Sequence, residues 1–361
     1  MKKGLLLVFS LIVFTCLGQD EGEPTFGENL TFSGYVELYY LYDFANPENH
    51  NTPPFLFNFN RHNEVNLNLG YLKVDYKTAG TRANLALMSG TYAGANLAHE
   101  PLYLRNIFEA NAGVKLLEDH ELWIDAGVFE SHIGFESAVG RRCRTMTRGI
   151  LAENSPYYEA GVKLSYTSKN EKWFASAMML NGWQRITRVP GSSLPAFGHE
   201  LRFSPSAAFS FTSSSFVGSE YPDTERRMRY FHNLYAEVEL SERFNFVAGF
   251  DIGVEQESYR ATKYNTWYSP VVVAQWQAGE KISVSARAEY YSDPDNVILS
   301  AGFPAGFETF GYSLNTDFDL RENVLWRLEC RTFQPRTGTL WPGANYKDFN
   351  LFAGTALSVK L

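Results

Sequence analysis

The chain has 361 residues, with 32 basic and 40 acidic side chains, a formal net charge of −8 and an aromatic content of 16%. The acidic balance excludes nucleic acid as a partner. Of three cysteines only Cys143 and Cys330 lie beyond the N-terminal leader, one in a polar loop and one in a strand pattern, so no disulfide framework is indicated.

In chain order, Lys2 and Lys3 precede the apolar run Leu5 to Phe14, and Cys16, Leu17 and Gly18 stand just before Gln19. This is the layout of a cleaved signal peptide, residues 1–18, and its removal leaves 30 basic against 40 acidic residues, a charge of −10. The apolar run is too short for a spanning helix. Phe14 and Thr15 fit a lipidation site at Cys16 poorly. Residues 19–29 form a short periplasmic segment, and 30–361 are expected to form one domain.

From Leu30 the chain alternates: Leu30, Phe32, Val36, Leu38, Tyr40 and Tyr42 face away from Thr31, Ser33, Glu37 and Asp43. The pattern predicts a strand with one apolar and one wet face. After an Asn- and Pro-rich loop, Asn46 to Asn63, strands are expected at Glu64 to Lys77, Thr81 to Tyr92, Arg105 to Leu117 and Glu121 to Glu130. The long segment Ser131 to Pro156 leads to Tyr157 to Thr167 and Lys172 to Trp183. A second long loop, Gln184 to Gly198, precedes a weaker pair at His199 to Ser204 and Ala207 to Val217. The remaining strands are Arg229 to Leu240, Arg243 to Glu257, Thr266 to Ala278, Lys281 to Ser292, Thr309 to Leu320, Asn323 to Gln334 and Tyr346 to Leu361.

These make sixteen strands, many of ten or more residues. Strands in soluble sandwiches run five or six, whereas a tilted strand crossing a bilayer needs about 9 to 11. Tight turns such as Ser241-Glu242 and Gly279-Glu280 alternate with long polar loops, the asymmetry of short periplasmic turns and long extracellular loops. The expected fold is all-β, a closed antiparallel transmembrane β-barrel in an outer membrane. Closure is required because an open sheet edge in hydrocarbon leaves N–H and C=O groups unsatisfied. About sixteen strands enclose a lumen wide enough for water.

If the apolar phase faces lipid, the opposite phase puts Glu159, Lys163, Glu237, Glu239, Asp251, Arg287, Glu289, Arg327, Glu329 and Arg331 in the lumen. The segment Ser131 to Pro156 carries Glu136, Arg141, Arg142, Arg144 and Arg148. Folded inward, it would narrow the pore and favour anions; left outside, its arginines would meet lipopolysaccharide phosphates.

The seven histidines include no pair with zinc spacing, and there is no P-loop or Gly-x-Ser-x-Gly elbow, so no cofactor and no catalytic residue is nominated. Ser131 beside His132 is a faint hydrolase signal, because neighbours on a strand point to opposite faces. Only Gln19 to Asn29 precede the first strand, too little for the plug of an energy-coupled receptor.

Gly134, Phe135 and Glu136, then Thr147 and Arg148, then Pro156, Tyr157, Tyr158, Gly161 and Val162, resemble the β-barrel outer-membrane porin family called OmpL-like. The resemblance spans the mature chain in layout and implies a pore, without catalytic residues. The chain ends Val359, Lys360, Leu361, where such barrels commonly end in Phe. The expected partners are outer-membrane lipids and lipopolysaccharide, the barrel-assembly machinery and small hydrophilic solutes. The expected function is therefore an outer-membrane porin for passive diffusion. The alternatives are a barrel with a blocked lumen, acting as a structural or adhesive surface protein, and a lipid-modifying outer-membrane enzyme.

Overall fold

The computed structural model describes residues 26–299, 306–336 and 349–361, so the expected signal peptide lies outside the described residues. Sixteen strands form one closed antiparallel barrel in which each strand pairs with its neighbours in sequence. They are β1 (Leu30–Asp43), β2 (Val65–Lys77), β3 (Thr81–Ser89), β4 (Ile107–Lys115), β5 (Glu121–Glu130), β6 (Tyr158–Thr167), β7 (Trp173–Leu180) and β8 (Ala196–Ser206). The second half holds β9 (Phe209–Gly218), β10 (Arg229–Ser241), β11 (Phe244–Gln256), β12 (Tyr264–Gly279), β13 (Ile282–Asp293), β14 (Phe307–Arg321), β15 (Val324–Pro335) and β16 (Asn350–Lys360). The seam joins β1 to β16 from Tyr35 opposite Lys360 to Asp43 opposite Phe352.

Alternation decides which face of each strand meets lipid. On β14, Phe310, Tyr312 and Leu314 are exposed while Thr309, Ser313, Asn315 and Asp317 are buried in the interior. A one-residue slip would exchange these sets, so the register is strongly fixed. Two rows of rings bound the lipid-facing band. Tyr268, Tyr290 and Phe310 follow one another ring against ring, tilted, near the long-loop end, and Phe318 with Trp326 and Trp173 with Phe203 lie near the short-turn end. Such girdles mark the two membrane interfaces. No helix among the described residues is long and apolar enough to cross a membrane; the chain crosses with strands.

At one end the strands are joined by turns of two to five residues, and at the other by long segments, including 44–64, 90–106, 131–157 and 181–195. Three features depart from the sequence reading. The strand expected over Thr81 to Tyr92 stops at Ser89, because Gly90 at φ 127° turns the chain into the short helix α1 (Thr91–Asn96). Of the weak pair, the strand expected over His199 to Ser204 is longer, as β8, and starts inside the supposed loop to Gly198, while Ala207 to Val217 becomes β9 at nearly its expected length. Segment 44–64 dips into the barrel, where Phe55 and Phe59 are fully buried beside Phe307, Phe333 and Tyr39.

Candidate functional site

The lumen is organised by residues 131–156, which leave the top of β5, turn inward at Gly134 (φ 83°) and cross the interior before rejoining β6. A single turn of helix, α2 (Ile150–Glu153), ends this segment. Backbone carried into a lumen needs partners for its N–H and C=O groups. The far wall supplies them. Arg327 on β15 donates to the carbonyls of Gly140 (2.8 Å), Cys143 (2.7 Å) and Thr145 (3.0 Å) while pairing with Asp317 (2.6 Å). Arg287 donates to Thr145 Oγ1 (2.9 Å), the Thr147 carbonyl (2.7 Å) and Glu329 (3.0 Å). Arg331 donates to the Arg148 carbonyl (2.7 Å) and to Glu289 (2.6 Å).

The carboxylates complete the exchange. Glu329 accepts from the Thr147 amide (2.5 Å) and hydroxyl (2.9 Å), and Glu289 from the Ile150 amide (2.7 Å). All three arginines are almost wholly out of solvent, so their charges are matched one against another rather than offered to a solute. These five wall residues are therefore a clamp on the inward segment.

The segment's own arginines divide. Arg148 is fully buried and donates to the carbonyls of Ser137 (2.7 Å), Met146 (2.6 Å) and Ala138 (2.9 Å), clipping the segment to itself. Glu136 accepts from the Gly149 amide at 2.7 Å and is sealed beside Arg287. Arg141 reaches down to the Glu322 carbonyl (2.7 Å) at a short turn. Arg142 pairs with Glu130 (3.0 Å) and keeps half its side chain exposed, while Arg144 pairs with Glu237 (2.9 Å) and Asn245 (3.0 Å). Of the five nominated residues Arg142 is the most exposed, Arg141 and Arg144 each keep 23% of the side chain exposed, and Glu136 and Arg148 are buried.

Of the remaining nominated wall residues, Lys163 lies over the Phe129 ring (4.6 Å to its centroid) and Asp251 accepts from Asn233. Glu239 is exposed beside the 207–208 turn, whose Ala208 carbonyl accepts from the Glu239 amide. Glu159 is wholly buried, 3.8 Å from His132 Nδ1, with no hydrogen bond to either oxygen among the described residues. His132 Nε2 lies 2.8 Å from the Ser215 carbonyl, and burial holds its ring at about 4, well below the usual histidine range. Ser131 Oγ instead accepts from the Ile133 amide, so Ser131 and His132 do not form a nucleophile and base.

Open volume remains on the wall opposite the clamp. A chamber of about 680 Å³ is lined by β2–β7 side chains, among them Lys73 paired with Glu109 (2.9 Å) and Arg82 paired with Asp125 (2.5 Å). A second space of about 220 Å³, sharing Glu130 with the first, runs beneath residues 131–137 past Glu200, Arg202 and Glu237. Of the residues expected in the lumen from the sequence, Arg142 and Lys163 line the first space and Glu136 and Glu237 the second, while Lys73, Asp75 and Lys77, on the interior phase of β2, are wall residues that the sequence reasoning does not single out. Among the described residues no group of three His, Cys, Asp or Glu is placed to hold a metal ion.

A family profile described as "Putative beta-barrel porin-2, OmpL-like" matches residues 29–360, nearly the whole chain. The chain belongs to this porin family. As an outer-membrane porin it passes small hydrophilic solutes, as its closed sixteen-stranded fold allows. No curated protein sequence matches the porin. Among solved structures it is similar to Salmonella typhi OmpF in complex with daunomycin, with TM-score 0.61 and 10% identity over 92% of this chain and 97% of that one. It is also similar to an anion-selective porin from Comamonas acidovorans, with TM-score 0.59 and 8% identity over 92% and 99% of the two chains. Outer-membrane expressed OmpT of Vibrio cholerae gives TM-score 0.58 and 9% identity over 92% and 97%. At such identities the likeness is one of fold.

Proposed function

We propose that this porin conducts passively through a narrow, off-axis route between the inward segment and the β2–β9 wall. The observation that carries this reading is the asymmetry of the lumen. Residues 131–156 are clamped to β13–β15, and the charged spaces that share Glu130 lie on the other side. Cations and anions alternate along that wall, and most are paired, so a solute there meets water-facing charge of both signs rather than one dominant field. Passage needs no catalysis and no cofactor.

A specific observation favours a second reading, a barrel closed at rest. The outer half of the lumen holds an apolar cluster that includes Phe55, Phe59, Phe231, Trp267, Phe307 and Phe333, and an apolar constriction can exclude water. Single-channel recording of the refolded, heat-modifiable protein separates the two. The expected result is small stepwise openings that grow when Phe55 and Phe59 are both changed to Ser. Silence from folded wild type, with openings only in the double variant, would favour the closed barrel.

A further inference from the structure

Residues 181–195, the segment between β7 and β8, fold back over the outside of the barrel instead of rising from it. Ile186 and Pro195 roof a space of about 430 Å³ whose floor includes Val128, Ala160, Val162 and Met179 from the lipid-facing phase of β5–β7. The roof is held firmly. Glu100 accepts from the amides of Ile186 (2.7 Å) and Thr187 (3.1 Å), and Asn181 Nδ2 donates to the Ile186 carbonyl (2.7 Å). The space lies at the long-loop end of the strands, which in barrels of this kind faces the outer leaflet.

Arg188 lines this space, and its Nε and Nη2 atoms are buried with no hydrogen-bond acceptor among the described residues. Those two N–H groups form the edge of the guanidinium that binds a phosphate or carboxylate in a bidentate fork. Nearby carboxylates are committed elsewhere: Glu100 to the roof, Glu220 to Arg185 (2.9 Å) and the Trp183 amide (2.6 Å), and Asp223 to Arg226 and the Ser193 amide. Two guanidinium N–H groups shut off from water without an acceptor are costly unless an anion completes them, although Arg188 as a whole is half-buried. An apolar trough beside it calls for the same ligand to carry hydrocarbon.

We infer that Arg188 and the trough beneath residues 186–195 form a binding site for a phosphate-bearing lipid of the outer leaflet, its phosphate on Arg188 and an acyl chain over Val162 and Met179. The volume falls within the range of about 300–1,000 Å³ typical of small-molecule sites. The test is native mass spectrometry of the refolded full chain with diphosphoryl lipid A, using inorganic phosphate and dephosphorylated lipid A as comparisons. One diphosphoryl lipid A should be retained per barrel, and Arg188→Gln should lower its retention about tenfold, the effect of losing a charge-assisted contact. Met179→Trp, which fills the trough from the lipid side and leaves the guanidinium intact, should lower retention as well, and the heat-modifiable band shift verifies that both variants fold. Retention unchanged in both variants would overturn the site, as would equal retention of the dephosphorylated lipid. Displacement by inorganic phosphate at equal concentration would overturn the lipid assignment by making this a free-phosphate site.

Discussion

Arg287 is shared between Thr145 and Thr147 of the inward segment and Glu329 of β15, and its guanidinium is buried away from solvent. Replacing it by Met should cost about 3–5 kcal/mol, because Glu329 and Glu289 would keep buried charge with fewer partners. A lowered urea midpoint of the barrel in lipid, with raised conductance as residues 131–156 loosen, is the expected outcome; an unchanged midpoint would deny the clamp. Lys163 behaves differently, since it forms no ion pair within 4 Å among the described residues and its Nζ borders the larger chamber. Lys163→Gln should shift the reversal potential in a salt gradient toward cation preference. Arg148→Gln should leave selectivity alone while weakening the inward segment. That contrast was only half legible in the sequence. Alternation places Arg287, Arg327 and Arg331 in the interior, but their partners on the inward segment lie 140 to 187 residues away, where no local pattern could point. Likewise four arginines in one segment announced positive charge, and only folding reveals that Arg148 spends its own on three carbonyls of that segment.

At the level of elements, the inward segment and the 44–64 segment are tied by one side chain. Glu153, at the end of α2, accepts from the amides of Phe57 (2.8 Å) and Asn58 (3.1 Å) and from Asn58 Nδ2 (3.1 Å). Burial pushes its carboxyl from the ordinary 4.5 up to about 7. A raised acid keeps its proton in the fold after the unfolded chain has lost it, so its stabilising contribution is complete below pH 4.5 and is lost as pH rises toward 7. The unfolding midpoint should fall across that window, and Glu153→Gln should flatten the fall. An equally steep fall in the variant would assign it to another group. The strands themselves are legible because lipid on one side and water on the other impose a two-residue period; the alternation predicts β5 at Glu121 to Glu130, its observed range. The loops carry no such period. Phe55 and Phe59 read as residues of an outer loop, and nothing local distinguishes an apolar side chain turned inward from one left at the surface.

Across the whole molecule, the wall that narrows the lumen is held by the last strands of the chain. Residues 131–156 leave the fifth strand, yet they are held by β13, β14 and β15, and the seam that closes the barrel waits for β16. Bringing together groups so distant in sequence carries a loop-closure cost that local hairpins avoid, so hairpin pairing is expected to run ahead of it. Pulsed proteolysis during refolding into vesicles should cut within 131–156 until the heat-resistant band appears; protection before that band would reverse the order. A barrel arrested before its last strands would lack both seam and constriction and would keep two open edges that hydrocarbon cannot satisfy, so completing the chain both seals the sheet and sets the width of the pore.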